Sequence, residues 1–92
     1  MAGFHLLYHP DIPDDVAAIP RNIRNIIQRA IEERLAPDPV RFGEPLRRSL
    51  QGYRKLRVGD YRVIYRITGH DVIILKIGHR KDVYEKAEKR VE

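Results

Sequence analysis

A glycine–aspartate pair between two alternating segments constrains this chain more than any other feature. Residues 53–58 and 61–68 alternate between apolar and charged side chains, which is the period of half-buried β-strands. Gly59 and Asp60, which separate them, suit a two-residue hairpin turn with glycine in the first position. Because such a turn fixes how the two strands pair, the sequence predicts a hairpin and also its register.

The register of this hairpin assigns each side chain to one of two sheet faces. Arg57 is predicted to face Arg62, and Lys55 to face Ile64. One face is apolar and is expected to meet the core; its members are Leu56, Val58, Tyr61, Val63, Tyr65 and Ile67. The other face is expected to be open and lined with cations; its members are Tyr53, Lys55, Arg57, Arg62, Ile64 and Arg66.

The segments around the hairpin predict further strands and helices. Residues 4–8 are short and apolar-rich, which favours a first strand, and residues 72–79 are nearly continuously apolar, which is typical of a central strand. Two helices that meet at Pro20 are expected between them. The second helix has an apolar stripe at three- and four-residue spacing, formed by Ile23, Ile26, Ile27, Ala30, Ile31 and Leu35. A last short helix has Val83, Ala87 and Val91 along one side.

Together these elements predict an α+β fold. We expect an N-terminal strand, a helical hairpin packed on one face of a small, mostly antiparallel four-stranded sheet, and a short C-terminal helix. Residues 38–52 are expected to form a loop that Leu46 and Leu50 anchor to the core.

The bulk properties limit the class of protein. A chain of 92 residues predicts one domain over residues 1–92. It has no cysteine, so neither disulfides nor a thiolate zinc site are expected. No segment approaches the ~20 apolar residues of a membrane span, and the first residues lack the pattern of a signal peptide. We therefore expect a cytoplasmic protein with no membrane partner, no cofactor and no metal.

Positive charge is concentrated in the second half of the chain. Residues 47–92 have thirteen basic and six acidic side chains, whereas residues 1–46 have five basic and seven acidic ones. Arginine outnumbers lysine by 13 to 5, and its planar guanidinium binds phosphate with two hydrogen bonds at once. This distribution favours a polyanionic partner such as a nucleic acid.

Five side chains are predicted to converge on the cationic face. Like charges placed opposite each other destabilise a sheet, so Arg57 facing Arg62 indicates a bound anion. Arg80 follows the last strand, and Tyr84 lies one helical turn further on. The predicted catalytic residues are Lys55, Arg57, Arg62, Arg80 and Tyr84. The predicted RNA-binding residues around them are Arg47, Arg48, Tyr53, Arg54, Arg66 and Lys81.

Such a set of side chains is able to cut RNA without a metal ion. The ribose 2′-OH attacks the adjacent phosphate and the 5′-oxygen leaves, which requires a base, an acid and cations on the phosphate. Neighbouring cations disfavour the charged form of a lysine, so Lys55 is the first candidate for the base, and Tyr84 is the second. Arg62 and Arg80 are expected to bind the phosphate. Arg80 is also a candidate acid, although a guanidinium releases its proton reluctantly.

Two motifs also carry a resemblance to a known family. The segments GYRKLRVGDYRVIYRI (residues 52–67) and IGHRKDVY (residues 77–84) resemble the RelE branch of the RelE/ParE toxin superfamily, and the resemblance spans nearly the whole chain. It implies the toxin of a type II toxin-antitoxin system, acting as a ribosome-dependent mRNA endonuclease. The implied partners are a cognate antitoxin, mRNA in the ribosomal A site, and operator DNA through the antitoxin complex.

The resemblance also implies roles for individual residues. The family's two hairpin cations fall on Lys55 and Arg57, its arginine after the turn on Arg62, its arginine after the last strand on Arg80, and its late tyrosine on Tyr84. The chain departs from the best-known pattern in two places. Arg57 stands where that pattern has a lysine, and Tyr84 lies closer to Arg80 than in that pattern.

Three alternatives remain open from the sequence. A shift of one residue in the alignment brings Arg54 into the site in place of Lys55. A ParE-like toxin would inhibit DNA gyrase by protein contact, and a degenerate toxin would only bind its antitoxin. The complete cationic set favours the nuclease, because a gyrase binder needs no such cluster.

Overall fold

The computed structural model describes residues 3–91 and shows helices packed on a mixed five-stranded sheet. The strands are β1 (His5–Tyr8), β2 (Glu44–Pro45), β3 (Arg54–Val58), β4 (Tyr61–Thr68) and β5 (Asp71–His79), in the spatial order β1-β5-β4-β3-β2. Strand β1 runs parallel to β5, and the other neighbours are antiparallel. The predicted α+β fold, with a mostly antiparallel sheet and a central last strand, is confirmed.

The helices follow the predicted order with one addition. They are α1 (Ile12–Ala17), α2 (Arg21–Ala30) with a π-helical continuation (Ile31–Leu35), α3 (Pro39–Phe42) and α4 (Val83–Glu88), and a 3₁₀ turn spans Arg48–Leu50. The first core cluster lies between α1, α2 and one sheet face, and includes Ile27, Ile31, Leu35, Leu56, Val63, Tyr65 and Ile74.

Ile26 is an exception to the predicted stripe. It is 55% exposed, because it lies at the flank of α2 beside the hairpin turn.

The predicted hairpin and its register are confirmed. Arg57 pairs with Arg62, and Lys55 pairs with Ile64. Gly59 has a φ of 60°, and Asp60 is not among the residues with positive φ. This is the backbone of a primed turn that needs glycine only in its first position.

The predictions of four strands and of a loop over residues 38–52 were wrong. The Asp38 carboxylate accepts a hydrogen bond from the Arg41 amide at 3.2 Å and begins α3. The two residues of β2 then pair with Arg54 and Lys55 and add a fifth strand. A strand of two residues shows no alternation, so the sequence had no pattern to reveal it. The expected anchors are confirmed, since Leu50 is buried and Leu46 packs beside it.

The second sheet face is not open, contrary to the prediction. Val83 and Ala87 of α4 pack on Ile64 and Leu75 in a second buried cluster. Leu75 reaches this face because the β4–β5 register shifts there: Ile64 pairs with Lys76, whereas Tyr65 pairs with Ile74. Such a bulge inserts one residue and reverses the alternation beyond it. The cationic face is therefore confined to the hairpin end of the sheet.

Candidate functional site

The strand register gathers positive charge at the hairpin end of the sheet. Arg57 pairs with Arg62, and Arg62 pairs in turn with Gly78 on β5. Lys55 lies two residues before Arg57 and therefore on the same side of β3. Arg80 follows the end of β5. We call Lys55, Arg57, Arg62 and Arg80 the cation row.

Arg62 is the most buried member of the cation row, with 7% of its surface exposed. Its Nη1 atom donates hydrogen bonds to the carbonyl oxygens of Gly59 at 3.0 Å and Tyr61 at 2.8 Å. These bonds hold the guanidinium against the hairpin turn. The remaining N–H groups, on Nε and Nη2, donate to no other part of residues 3–91. Arg62 is therefore fixed in place and still has donors for an anion.

Helix α4 packs close to Arg62 because residue 78 has no side chain. A Cβ atom at Gly78 would lie 3.3 Å from Cγ2 of Val83. Val83 is fully buried and is the first residue of α4. The absence of a side chain at Gly78, opposite Arg62, thus allows the first turn of α4 to pack directly on the sheet. Tyr84 is the second residue of that helix.

Tyr84 and Lys55 are in contact across the two elements that carry them. The Nζ atom of Lys55 lies 5.7 Å from the centroid of the Tyr84 ring, within the ~6 Å reach of a cation–π interaction. The ring is half-buried and packs against the second core cluster. The short spacing between Arg80 and Tyr84 therefore does not keep the tyrosine from the predicted site.

Arg80 is held at the hairpin turn by backbone and side chain together. Its amide donates to the carbonyl oxygen of Asp60 at 2.8 Å. Its Nε atom lies 3.6 Å from the Asp60 carboxylate, and both side chains are more than half exposed. An exposed pair of this kind is weak, so a phosphate is able to displace Asp60 from the guanidinium.

The predicted RNA-binding residues fall into two groups. Arg47, Arg48, Arg66 and Lys81 are exposed, and the Arg66 guanidinium lies 5.9 Å from the ring centroid of Tyr53. Arg48 has a φ of 58°, a conformation that non-glycine residues seldom adopt.

Arg54 is not brought to the cation row. Its Nη2 atom donates to the carbonyl oxygens of Val40 at 2.9 Å and Gly43 at 2.8 Å. It stands opposite Tyr65, whose hydroxyl donates to the carbonyl oxygen of Pro39 at 2.7 Å. Arg54 thus links the α3 segment to the sheet, which explains the presence of a basic residue next to Lys55 on the opposite face of β3.

A second group of charges, which the sequence analysis missed, surrounds Asp15. The Asp15 carboxylate is 5% exposed. It accepts hydrogen bonds from Lys76 Nζ at 2.6 Å, the Ile77 amide at 3.0 Å, and Arg90 Nη1 and Nη2 at 2.7 and 2.8 Å. Arg90 also donates to the carbonyl oxygen of Leu75 at 3.0 Å. We call Asp15, Lys76 and Arg90, with the Ile77 amide, the Asp15 cluster.

The hydrogen bonds of the Asp15 cluster decide its ionisation. Burial by itself would raise the pKa of Asp15, but the hydrogen bonds from Arg90, Lys76 and the Ile77 amide outweigh burial and lower the pKa below its ordinary value. The bond to Asp15 in turn raises the pKa of Arg90. No sequence signal marks this cluster, because Asp15 and Arg90 are 75 positions apart.

Neither a metal site nor a membrane helix is found in the described part of the chain. Among residues 3–91, no three acidic or histidine side chains are grouped in a way that would hold a metal ion. No helix within these residues has the length and apolar character needed to cross a bilayer.

Comparison with known proteins places this chain in a family. The model of the family described as the ParE toxin of the type II toxin-antitoxin system parDE matches residues 6–84, which include the hairpin, the cation row and Tyr84. The chain belongs to the RelE/ParE toxin superfamily. It is therefore a type II toxin-antitoxin toxin, as the two motifs indicated.

Curated relatives lie on the RelE side of the superfamily. The chain is 39% identical over 69 residues to Toxin RelG of Mycobacterium tuberculosis, covering 73% of this chain and 78% of the relative. It is 32% identical over 83 residues to Toxin RelE of the same organism, covering 88% of this chain and 86% of the relative.

Solved structures agree with the fold. The toxin-antitoxin complex RelBE2 of Mycobacterium tuberculosis matches with a TM-score of 0.79 and 31% identity, over 85% of this chain and 99% of the matched one. A double arginine-to-alanine mutant of the E. coli toxin RelE matches with a TM-score of 0.71 and 21% identity, over 100% of both chains. At this identity the second match supports the fold alone.

Proposed function

We propose that this toxin is a ribosome-dependent mRNA endonuclease that acts in the cytoplasm and inhibits translation. The observation that carries the proposal is the cation row, which lies at one end of the sheet beside Tyr84. Within residues 3–91, the exposed Asp60 is the only acid that forms a salt bridge with any member of this row. A row of this kind is stabilised by a ligand that brings several negative charges, and an RNA backbone does so at regular spacing.

The cleavage step that we propose follows from the positions of these groups. The ribose 2′-oxygen forms a bond to the adjacent phosphorus while the bond from phosphorus to the 5′-oxygen breaks, leaving a cyclic phosphate and a 5′-hydroxyl. Lys55 is the first candidate to accept the proton of the 2′-OH, and Tyr84 is the second. Arg62 and Arg80 donate hydrogen bonds to the phosphate oxygens as their charge develops. Arg80 is the candidate acid for the 5′-oxygen.

The ribosome is the proposed source of substrate positioning. The cation row lies along one end of a sheet. Arg57 lines a surface pocket beside α2, but Lys55, Arg62, Arg80 and Tyr84 line neither this pocket nor the pocket between α1 and α2. A site without walls orients a flexible message poorly, and misplacement lowers the rate steeply. Message held in the A site arrives already oriented.

An antitoxin is the proposed protein partner. Two of the matched structures are toxin-antitoxin complexes, namely RelBE2 of Mycobacterium tuberculosis and RelB-RelE of Methanococcus jannaschii. The net charge of +5 in this chain suits an acidic, amphipathic segment that folds on binding. We propose that operator DNA is contacted through this complex.

One observation favours a second candidate function. The family model that matches residues 6–84 is described as the ParE toxin. A ParE-like toxin directed at DNA gyrase is therefore the alternative, and it would act through protein contacts without using the cation row.

The test is in vitro translation followed by primer extension on the message, with wild type, Arg62→Ala and Arg21→Ala. We expect discrete cuts within codons for the wild type, and a loss of cleavage of roughly 100-fold or more in Arg62→Ala. Arg21→Ala, which removes the same charge from an exposed position on α2, should cut like the wild type. Thermal unfolding of Arg62→Ala checks that the fold survives.

Other outcomes would overturn the proposal. Inhibited translation without cuts, or no inhibition at all, would favour the gyrase-directed alternative, and inhibition of DNA supercoiling would then be measured. Equal cutting by wild type and Arg62→Ala would remove Arg62 from the site.

A further inference from the structure

Helix α4 depends on the rest of the protein for its structure. It contains six residues, Val83–Glu88, whereas isolated helices shorter than ~12 residues are marginal in water. Asp82 occupies the N-cap position, but its carboxylate makes no capping hydrogen bond and instead pairs with Lys86 at 3.3 Å. The position of Tyr84 is therefore set by what holds α4 at its two ends.

The body of α4 is held mainly by packing. Val83 lies against Gly78, and Ala87 is buried one turn later. On the exposed side, the Ser49 hydroxyl donates to the Glu88 carboxylate. These contacts place the helix on the sheet but are short-ranged and largely apolar.

The C-terminal end of α4 is held by charge. Arg90 lies just past the helix and reaches the Asp15 carboxylate with two hydrogen bonds, and the Leu75 carbonyl with a third. A bidentate bond between arginine and carboxylate fixes both distance and orientation. Since Asp15 also accepts the Ile77 amide of β5, the carboxylate ties the end of α4 directly to the sheet.

We propose that Asp15 and Arg90 form a positioning pair that holds Tyr84 over Lys55. Neither residue belongs to the cation row. Their effect on turnover rests on the proposed nuclease function, whereas their effect on the position of Tyr84 does not. Tyr84 lies between the packed Val83 and the bonded Arg90. Because the buried Ala87 and the Ser49–Glu88 bond remain when the Arg90 bonds are lost, we expect α4 to stay on the sheet while the ring loses its fixed position over Lys55.

Removing Arg90 separates the positioning role from the general stability of the fold. In Arg90→Ala, Asp15 keeps its bonds to Lys76 and to the Ile77 amide, so the buried carboxylate stays paired. Arg90→Lys retains the charge but loses the bidentate geometry. Lys89→Ala is the matched control, because it removes a neighbouring positive charge that pairs with no acidic group within residues 3–91.

The experiment is NMR on wild type, Arg90→Ala, Arg90→Lys and Lys89→Ala, combined with cleavage kinetics on ribosomes. In Arg90→Ala we expect the cross-relaxation between the Lys55 side chain and the Tyr84 ring to disappear. Amides of α4 should exchange about tenfold faster, the equivalent of one lost charge-assisted hydrogen bond. Amides of β4 should be unchanged. The kcat should fall about 10- to 100-fold, as for a misplaced group, with KM nearly constant.

The remaining variants and outcomes decide the proposal. Arg90→Lys should lie between wild type and Arg90→Ala, and Lys89→Ala should match the wild type. The proposal is overturned if the contact between Lys55 and Tyr84 persists in Arg90→Ala, if β4 loses protection as much as α4, or if the contact is lost while kcat stays the same. If the wild type does not cut RNA, the nuclease function fails, but the NMR result still decides whether the pair positions Tyr84.

Discussion

Two groups of charged side chains lie at the same sheet, and they differ in how far their charges are paired. In the Asp15 cluster a buried carboxylate receives four hydrogen bonds of 2.6 to 3.0 Å, from two cations and a backbone amide. In the cation row, Arg57 and Arg62 stand opposite each other, and Glu44 stands opposite Lys55. Within residues 3–91, the one salt bridge to this row joins Arg80 to the exposed Asp60 at 3.6 Å. The charges of the Asp15 cluster are paired with one another within residues 3–91, whereas most of the positive charge in the cation row has no salt-bridge partner there.

The difference shows that charge on a strand does not by itself indicate function. Lys76 and Arg80 are four residues apart, at the hairpin end of β5 and just beyond it. Lys76 is neutralised by a buried partner, whereas Arg80 has only an exposed one. A buried charge requires a partner to be tolerated, so the Asp15 cluster is a requirement of folding. Within residues 3–91, no buried acid neutralises the cation row, and this is why we propose a ligand for it.

The largest effect should come from removing the acid at the centre of the Asp15 cluster. In Asp15→Ala, Lys76 and Arg90 lose their common partner, and breaking a buried pair in this way costs about 3–5 kcal/mol. Urea unfolding followed by circular dichroism measures the change. Asp14→Ala, an exposed neighbour in the same turn, should alter stability by less than about 0.5 kcal/mol. Equal small effects from both variants would show that the Asp15 cluster is not structural.

A smaller effect of the same kind should follow from acid. Because the folded pKa of Asp15 is lowered, its ionisation stabilises the fold above the ordinary pKa of 3.8, and this contribution is lost as the pH falls below that value. The groups that face Asp15 are Lys76 and Arg90, with Asp11 and Asp14 near Arg90. Urea unfolding between about pH 6 and pH 2.5 should show this loss in the wild type. The loss should be reduced in Asp15→Asn, and identical slopes for both proteins would contradict the assignment.

The sequence was sufficient where structure is decided locally. The Gly59-Asp60 turn fixed the hairpin register, and that register placed Arg57 opposite Arg62 as observed. The alternation of Val63 and Tyr65 correctly assigned these residues to the core. Turn chemistry and a period of two act over a few residues, which is why a single chain was enough.

The sequence was insufficient where structure depends on distant contacts. The bulge at Leu75 turned part of β5 towards α4 and closed a face that was expected to be open. Arg54 was predicted to bind RNA, but it donates hydrogen bonds to carbonyl groups of the α3 segment. The bond between Asp15 and Arg90 joins the two ends of the chain. Each of these features requires the packed fold, because no local pattern encodes which element lies opposite.

The smallest effect on stability, and the one that separates the two groups best, is expected from Arg57→Ala. Like charges directly opposite each other on paired strands are destabilising by about 0.2–1 kcal/mol, so this variant should be as stable as the wild type or slightly more stable in urea. The gain should shrink at high salt, since salt screens the repulsion. Arg66→Ala is the control for the stability measurement, because Arg66 is exposed and pairs with the uncharged Ile73.

RNA binding should weaken in Arg57→Ala, and the log–log slope of RNA affinity against salt concentration should become shallower by about 0.7 for one lost phosphate contact. If instead Arg57→Ala destabilised the fold as much as Asp15→Ala, the cation row would be a structural element, and the contrast between the two groups would not hold.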